Sequence, residues 1–193
     1  MGKTTAQPDA SSDRKLRELA LFIAQRCEMD PAFGATKLNK LLFFADFLAY
    51  KRLKRSITGQ EYVKLDNGPA PRRMVEVVRG MLADGDAVIR STRYFDRVQK
   101  RLLPLREPDM SDFSVDDVVL VTQLIQDAWG LSAREISAKS HHFIGWKLAK
   151  KWETIPYEVA LVQRGSRSEQ ADQYASTLEP LAEKALVRRG AAE

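Results

Sequence analysis

The sequence predicts an α+β fold, mainly α: a compact helical domain around a central buried helix, with a small antiparallel β-sheet or hairpin. Three observations carry this. Thr36–Tyr50, TKLNKLLFFADFLAY, is the most apolar continuous run and holds neither Gly nor Pro. Residues 86–106 abandon helical spacing for the looser alternation of a two-stranded hairpin. Further on, two helix starts are written almost explicitly at Ser114 and Ser132.

Taken in order, residues 1–12 are small, polar and aperiodic, as in a disordered end. From Asp13 to about Glu28, Leu16, Leu19, Ala20, Ile23 and Cys27 follow helical spacing. Asp30-Pro31 and Gly34 break the chain before the central run. At about 100° per residue, Leu38, Leu41, Leu42, Ala45, Leu48 and Ala49 share one face of that run, and Phe43, Phe44 and Phe47 take the other. A helix apolar on two sides belongs in the middle of a domain. Lys51–Arg55 then places cations at the negative end of its dipole.

Ile57, Tyr62, Val63 and Leu65 suit a short extended segment, with Asn67-Gly68-Pro69 as a turn and Pro71 in the first turn of the next helix. Met74, Val77, Val78, Met81 and Leu82 make that helix amphipathic, and Gly85 ends it. The hairpin at 86–106 is expected to join the segment at 57–65 in one sheet, because two strands alone are marginal. Pro108–Asp112 links to a helix with Ser114 as N-cap, Asp117 at N3 and a Phe113–Val118 staple. The pattern repeats with Ser132, Glu135, Leu131 and Ile136, after a stop at Gly130. Thr154–Tyr157 is expected to end regular structure, followed by a linker at 163–168. The organisation is thus residues 1–12 as a disordered end, 13–165 as the domain, and 166–193 as a C-terminal helical extension.

A hydrophobic fraction of 44% supplies a core, and no apolar run reaches the roughly 20 residues that span a bilayer. The N-terminus lacks the apolar middle of a secretory signal, which points to the cytoplasm. The single cysteine excludes an internal disulfide and reads as a packing residue. A net charge of +5 permits salt-sensitive attraction to nucleic acid or an acidic protein and demands neither.

Catalytic and cofactor chemistry finds little support. His141 and His142 are adjacent, so on a helix they diverge by about 100° and cannot clasp one metal ion. There is no Gly-rich phosphate loop and no nucleophile elbow, and Ser140 beside His141 is a poor triad because sequence neighbours rarely have its geometry. No cofactor is expected. The basic helix pair at 114–151 allows an alternative, a DNA-binding regulator with a winged helix-turn-helix-like region. Against it, the hairpin precedes the helix pair, whereas a wing usually follows its recognition helix. Within the central run, Asn39, Asp46 and Tyr50 fall in one polar strip. A carboxylate among so much hydrocarbon must be satisfied, either by holding a neighbouring loop or by facing a partner.

TKLNKLLFFADF, ITGQEYVKLDNGPAPR and SAREISAKSHHFIGW together resemble the Panacea antitoxin domain, a bacterial and phage family that includes SocA-type antitoxins and GepA-type phage proteins. The likeness spans about 16–162 and rests on Lys37-Leu38-x-Lys40-Leu41-Leu42, Phe44-Ala45-Asp46, Gly68-Pro69 with Pro71, Ser140-His141, and Trp146. It implies a non-enzymatic antitoxin that neutralises a cognate protein toxin, usually encoded by the neighbouring gene, by direct contact. It also admits a role as adaptor to a ClpXP-type protease. The partner-binding or family-motif residues it marks are Asn39, Lys40, Phe44, Asp46, Gly68, Pro69, Ser140, His141 and Trp146. Most of these are expected around one surface groove or its supporting shell.

Overall fold

The structure is a computed structural model, and it describes residues 10–94 and 97–162. The chain divides into two units, Met1–Leu161 and Val162–Glu193, and the elements described below belong to the first. The expected linker at 163–168 and helical extension at 166–193, with the first nine residues, lie outside the described residues.

Helix α1 spans Ala10–Arg26, starting three residues before the expected boundary because Ser12 is already buried and accepts a 2.8 Å hydrogen bond from Gln60 Nε2. The carbonyls just beyond its C-terminus are not left bare. The Arg101 guanidinium donates to Cys27 O at 3.3 Å, Glu28 O at 2.7 Å and Asp30 O at 2.9 Å, where a cation suits the helix dipole.

Helix α2, Ala35–Leu53, runs for about 28 Å at 1.5 Å per residue. It packs against α1 and against half of the later elements. Its two apolar faces divide as the spacing demands. Leu38, Leu41, Leu42, Ala45 and Ala49 join the larger core, built with α1 residues such as Leu16, Leu19 and Ile23. Phe43 and Phe47 join a smaller aromatic core with Tyr62, Ile155 and Ala160, against which Phe143, Trp146 and Tyr157 pack. Phe44 is half-buried and touches both, 5.3 Å edge-on from Phe43.

After α2 come β1 (Tyr62–Val63), β2 (Ala70–Pro71), α3 (Met74–Ala83), and the hairpin β3 (Ala87–Tyr94) and β4 (Arg97–Pro104). Beyond the hairpin lie α4 (Val115–Asp127), α5 (Ala133–His141), α6 (Ile144–Leu148), β5 (Thr154–Ile155) and a 3₁₀ turn at Tyr157–Leu161. Helix α3 ends in a Schellman arrangement. Gly85 takes φ +76°, and the Asp86 amide returns to Met81 O at 2.9 Å. Both predicted capping boxes form, Ser114 with Asp117 and Ser132 with Glu135.

Four expectations need correction. Pro71 does not open α3. It lies in β2, an outer strand of the order β2-β1-β5, where a missing N–H is tolerated. The segment around 57–65 and the hairpin do not share a sheet: among the described residues β1 pairs with β2 and β5, and β3 pairs only with β4. The base of the hairpin is instead anchored by Ala87 and Leu102 in the main core. Regular structure does not stop at Thr154, which begins the strand that completes β1's sheet through Tyr62↔Ile155. Finally, the basic helix of the pair at 114–151 ends at His141, and α6 is a separate element.

Candidate functional site

The residues singled out by the sequence separate into two polar centres along α2. The first gathers around Lys40. Its side chain is 2% exposed, yet among the described residues no carboxylate lies within ion-pair distance of it. Its ammonium donates to Pro69 O at 2.9 Å. Burial without a counter-charge brings its pKa down from the usual 10.5 to about 8.

The turn that supplies this carbonyl is shaped for a close approach. Gly68 has φ +96°, and a Cβ there would meet Ser140 Oγ at 2.5 Å and Lys40 Cε at 2.6 Å. Only glycine satisfies both the dihedral and the space. Ser140 is fully buried, and its hydroxyl donates to Ser137 O at 2.7 Å, so it is not committed to His141 as a nucleophile would be.

His141 lies flat on Trp146, with ring centroids 4.0 Å apart and planes 11° apart. Trp146 Nε1 donates to Leu65 O at 3.3 Å, and Lys64 Nζ stands 4.4 Å from the Trp146 ring while donating to Ala149 O at 2.8 Å. His141 Nε2 is buried and has no hydrogen-bond partner among the described residues. Burial first, then the charges of Lys40, His142 and Lys64, lower the pKa of this imidazole and favour its neutral form. Lys40, Gly68, Pro69, Ser140, His141 and Trp146 therefore come together and bind α2, the 65–69 turn, α5 and α6 into one unit. Asn39 joins none of these hydrogen bonds, and its Oδ1 is buried without a partner among the described residues.

Asp46 belongs to the second centre. It is fully buried and accepts from Ile57 N and Thr58 N, each at 2.7 Å, from Thr58 Oγ1 at 2.5 Å and from Tyr62 OH at 2.7 Å. Burial raises its pKa, and the four donors act in the opposite direction. All its partners lie within 57–62, so Asp46 holds the loop that leads into β1 and contributes nothing to the Lys40 group. This geometry corrects the expectation that Asp46 shares their groove. Six residues separate it from Lys40, about 9 Å along the helix.

Two lysines carry more of the structure than their sequence context suggests. Lys37 is buried and pairs with buried Asp30 at 2.5 Å while donating to Leu131 O at 2.9 Å. Lys64, stacked on Trp146, is signalled by nothing in its own segment. Lys37 and Lys40, three apart in an apolar helix, are a visible sign of inward-facing cations.

Among the described residues no group of His, Cys, Asp and Glu is placed to hold a metal ion. Among them, too, no helix is long and apolar enough to cross a membrane. Neither the search of curated proteins nor that of solved structures gave a match. A scan against protein-family models matches residues 38–147, more than half of the chain, to "Antitoxin SocA-like, Panacea domain". The matched stretch runs from α2 through the glycine turn to the His141–Trp146 stack, and by it the chain belongs to the SocA-like antitoxin family with a Panacea domain.

Proposed function

We propose that this chain is the antitoxin of a bacterial toxin–antitoxin pair, acting in the cytoplasm by binding a cognate protein toxin directly and stoichiometrically, without catalysis. The observation that carries the reading is the family match over 38–147, which includes every residue of the Lys40 and Asp46 centres. The chemistry of those centres agrees with it. Ser140 is engaged with a backbone carbonyl, and Asp46 is consumed by four donors from its own chain. Both centres serve to fix a scaffold, on which a partner is met by the exposed periphery. Delivery of the bound toxin to a ClpXP-type protease is compatible with the same scaffold.

The test is co-expression with the product of the adjoining gene. An antitoxin restores growth and co-purifies with that product; if neither happens for either neighbouring reading frame, the proposal is lost. A DNA-binding regulator would instead retard its own promoter fragment, with log K falling linearly in log salt. Against that alternative, the basic residues it needs do not share one helix: Arg134 and Lys139 lie on α5, Lys147 on α6, and Lys151 is paired with Asp66 at 2.7 Å.

A further inference from the structure

The hairpin β3–β4 is the least explained part of this fold. It is anchored through Ala87 and Leu102, which are buried, and on the β4 side through Arg101 and through Gln99, which donates to Pro31 O at 3.3 Å, whereas Val88, Ile89, Arg90, Ser91, Arg93, Val98 and Lys100 are exposed. Successive side chains of a strand point to opposite faces, so four exposed residues in a row from Val88 to Ser91 leave both faces of β3 open to solvent. Among the described residues the sheet has two strands, and β3 pairs only with β4, which leaves one row of its backbone N–H and C=O groups without a strand partner there. The side chains of Arg90, Arg93 and Lys100 make no ion pair or hydrogen bond with the described residues. Arg101 differs, being tied to the three carbonyls beyond α1. Between the hairpin and the end of α1 lies a groove of about 770 Å³, lined by Met29, Val88, Arg90, Leu103 and Leu105 together with the carboxylates Glu28 and Glu107.

Resting on the antitoxin reading, we infer that the free edge of β3 is where the toxin docks, by adding an extended, acidic segment of its own as a third strand. The open backbone row and the unpaired cations fit that occupant. An added strand lies about 4.8 Å away and satisfies both donors and acceptors of the open row. One face of such a strand lies beside Val88 and Arg90 and the other beside Ile89, Ser91 and Arg93, so carboxylates on either face meet an unpaired arginine, and Lys100, opposite Ser91 on β4, adds its charge from one strand further away. A nucleic acid is a poorer fit. Its phosphates accept hydrogen bonds but donate none, they have no use for exposed Val88, Ile89 and Val98, and the three unpaired cations among the described residues of the hairpin, even with Arg97 added, fall short of the roughly 6–10 phosphate contacts of a strongly salt-dependent DNA binder.

The experiment uses the full chain and the product of the adjoining gene. Affinity is measured for the wild type, for Arg90→Glu/Arg93→Glu/Lys100→Glu, and for the equally charge-reversed Arg134→Glu/Lys139→Glu/Lys147→Glu on α5 and α6. Amide hydrogen exchange across Val88–Tyr94 is followed with and without the toxin. The hairpin variant is expected to bind about 100-fold more weakly at low salt, with the deficit shrinking as salt is raised, and the helix variant to stay within about threefold of wild type. Exchange in β3 is expected to slow in the wild-type complex. Unchanged affinity of the hairpin variant overturns the inference and leaves the antitoxin reading standing. So does weakened binding without any slowing in β3, which would make the contact electrostatic only. Loss of binding to a duplex from the chain's own promoter, with toxin binding intact, overturns it in favour of nucleic acid. No complex even with the wild type removes the antitoxin reading itself, and the inference with it.

Discussion

Lys40 carries its charge to a place where, among the described residues, only the Pro69 carbonyl receives it, and this makes its protonation a measurable part of stability. The sign is set by the folded pKa of about 8 against the usual 10.5. Between those values the unfolded chain binds the proton and the folded chain releases it, so stability rises with pH. From pH 9 upward Cys27 opposes this, since burial lifts its thiol to about 12 and the unfolded thiol ionises first. The clean window is therefore pH 8–9. There the unfolding free energy of the wild type is expected to gain about 1 kcal/mol relative to Lys40→Met, measured by urea titration at each pH; parallel profiles would refute the assignment. Asp46 gives a second residue-scale prediction. Asp46→Asn replaces an oxygen that accepts from two hydroxyls and removes the charge that strengthens all four bonds, so it is expected to cost about 1.5–3 kcal/mol and lower Tm by roughly 5–10 °C. Once folded, the variant is expected to bind the toxin as the wild type does; lost rescue at unchanged Tm would return Asp46 to a partner-facing role. That Asp46 must be satisfied was legible, because an acid in TKLNKLLFFADFLAY has no cheap solvent. Which groups satisfy it was not, because two of the donors are backbone amides and an amide carries no residue signature.

Capping chemistry shows what can be read at the scale of elements. The boxes at Ser114 and Ser132 were legible because the recognition is local, a side chain meeting an amide three residues on. Their surroundings differ in a way only the structure reveals. Ser114 Oγ also accepts from Arg55 at 2.8 Å, and Arg55 pairs with Asp117 at 2.9 Å, so the start of α4 is fastened to the chain just beyond α2. Ser132→Ala is expected to cost about 1 kcal/mol, and Ser114→Ala more, up to about 2 kcal/mol. Equal losses in denaturant midpoint, at unchanged slope, would show that the link to Arg55 adds nothing. The strands were harder to read for a physical reason. Sheet β2-β1-β5 is made of two-residue strands. Two residues show no alternation, so Pro71 was indistinguishable from a helix-opening proline and Thr154-Ile155 from a loop. The hairpin, eight residues on each side, was long enough to declare itself.

Across the whole molecule, the buried Asp30–Lys37 pair joins what the chain order keeps apart. Asp30 sits between α1 and α2, and Lys37 reaches from α2 to Leu131 between α4 and α5, 94 residues away. No periodicity within one segment could disclose such a link, because its purpose exists only once the helices are assembled. Its energetics are asymmetric. Two charges, each 1% exposed, have already lost their water, so removing one leaves the other stranded. Lys37→Met is therefore expected to destabilise by about 3–5 kcal/mol, and Asp30→Asn by a comparable amount. The double variant is expected to recover much of the loss, since neither charge remains to be desolvated. It will not recover all of it, because Leu131 O loses the lysine's 2.9 Å hydrogen bond. A double-mutant cycle by chemical denaturation reads this directly as a coupling of about 2 kcal/mol or more. If the two single losses simply add, the pair is not the clasp between the two linkers, and the packing of α2 against α4 and α5 must rest on the apolar face of α2 alone.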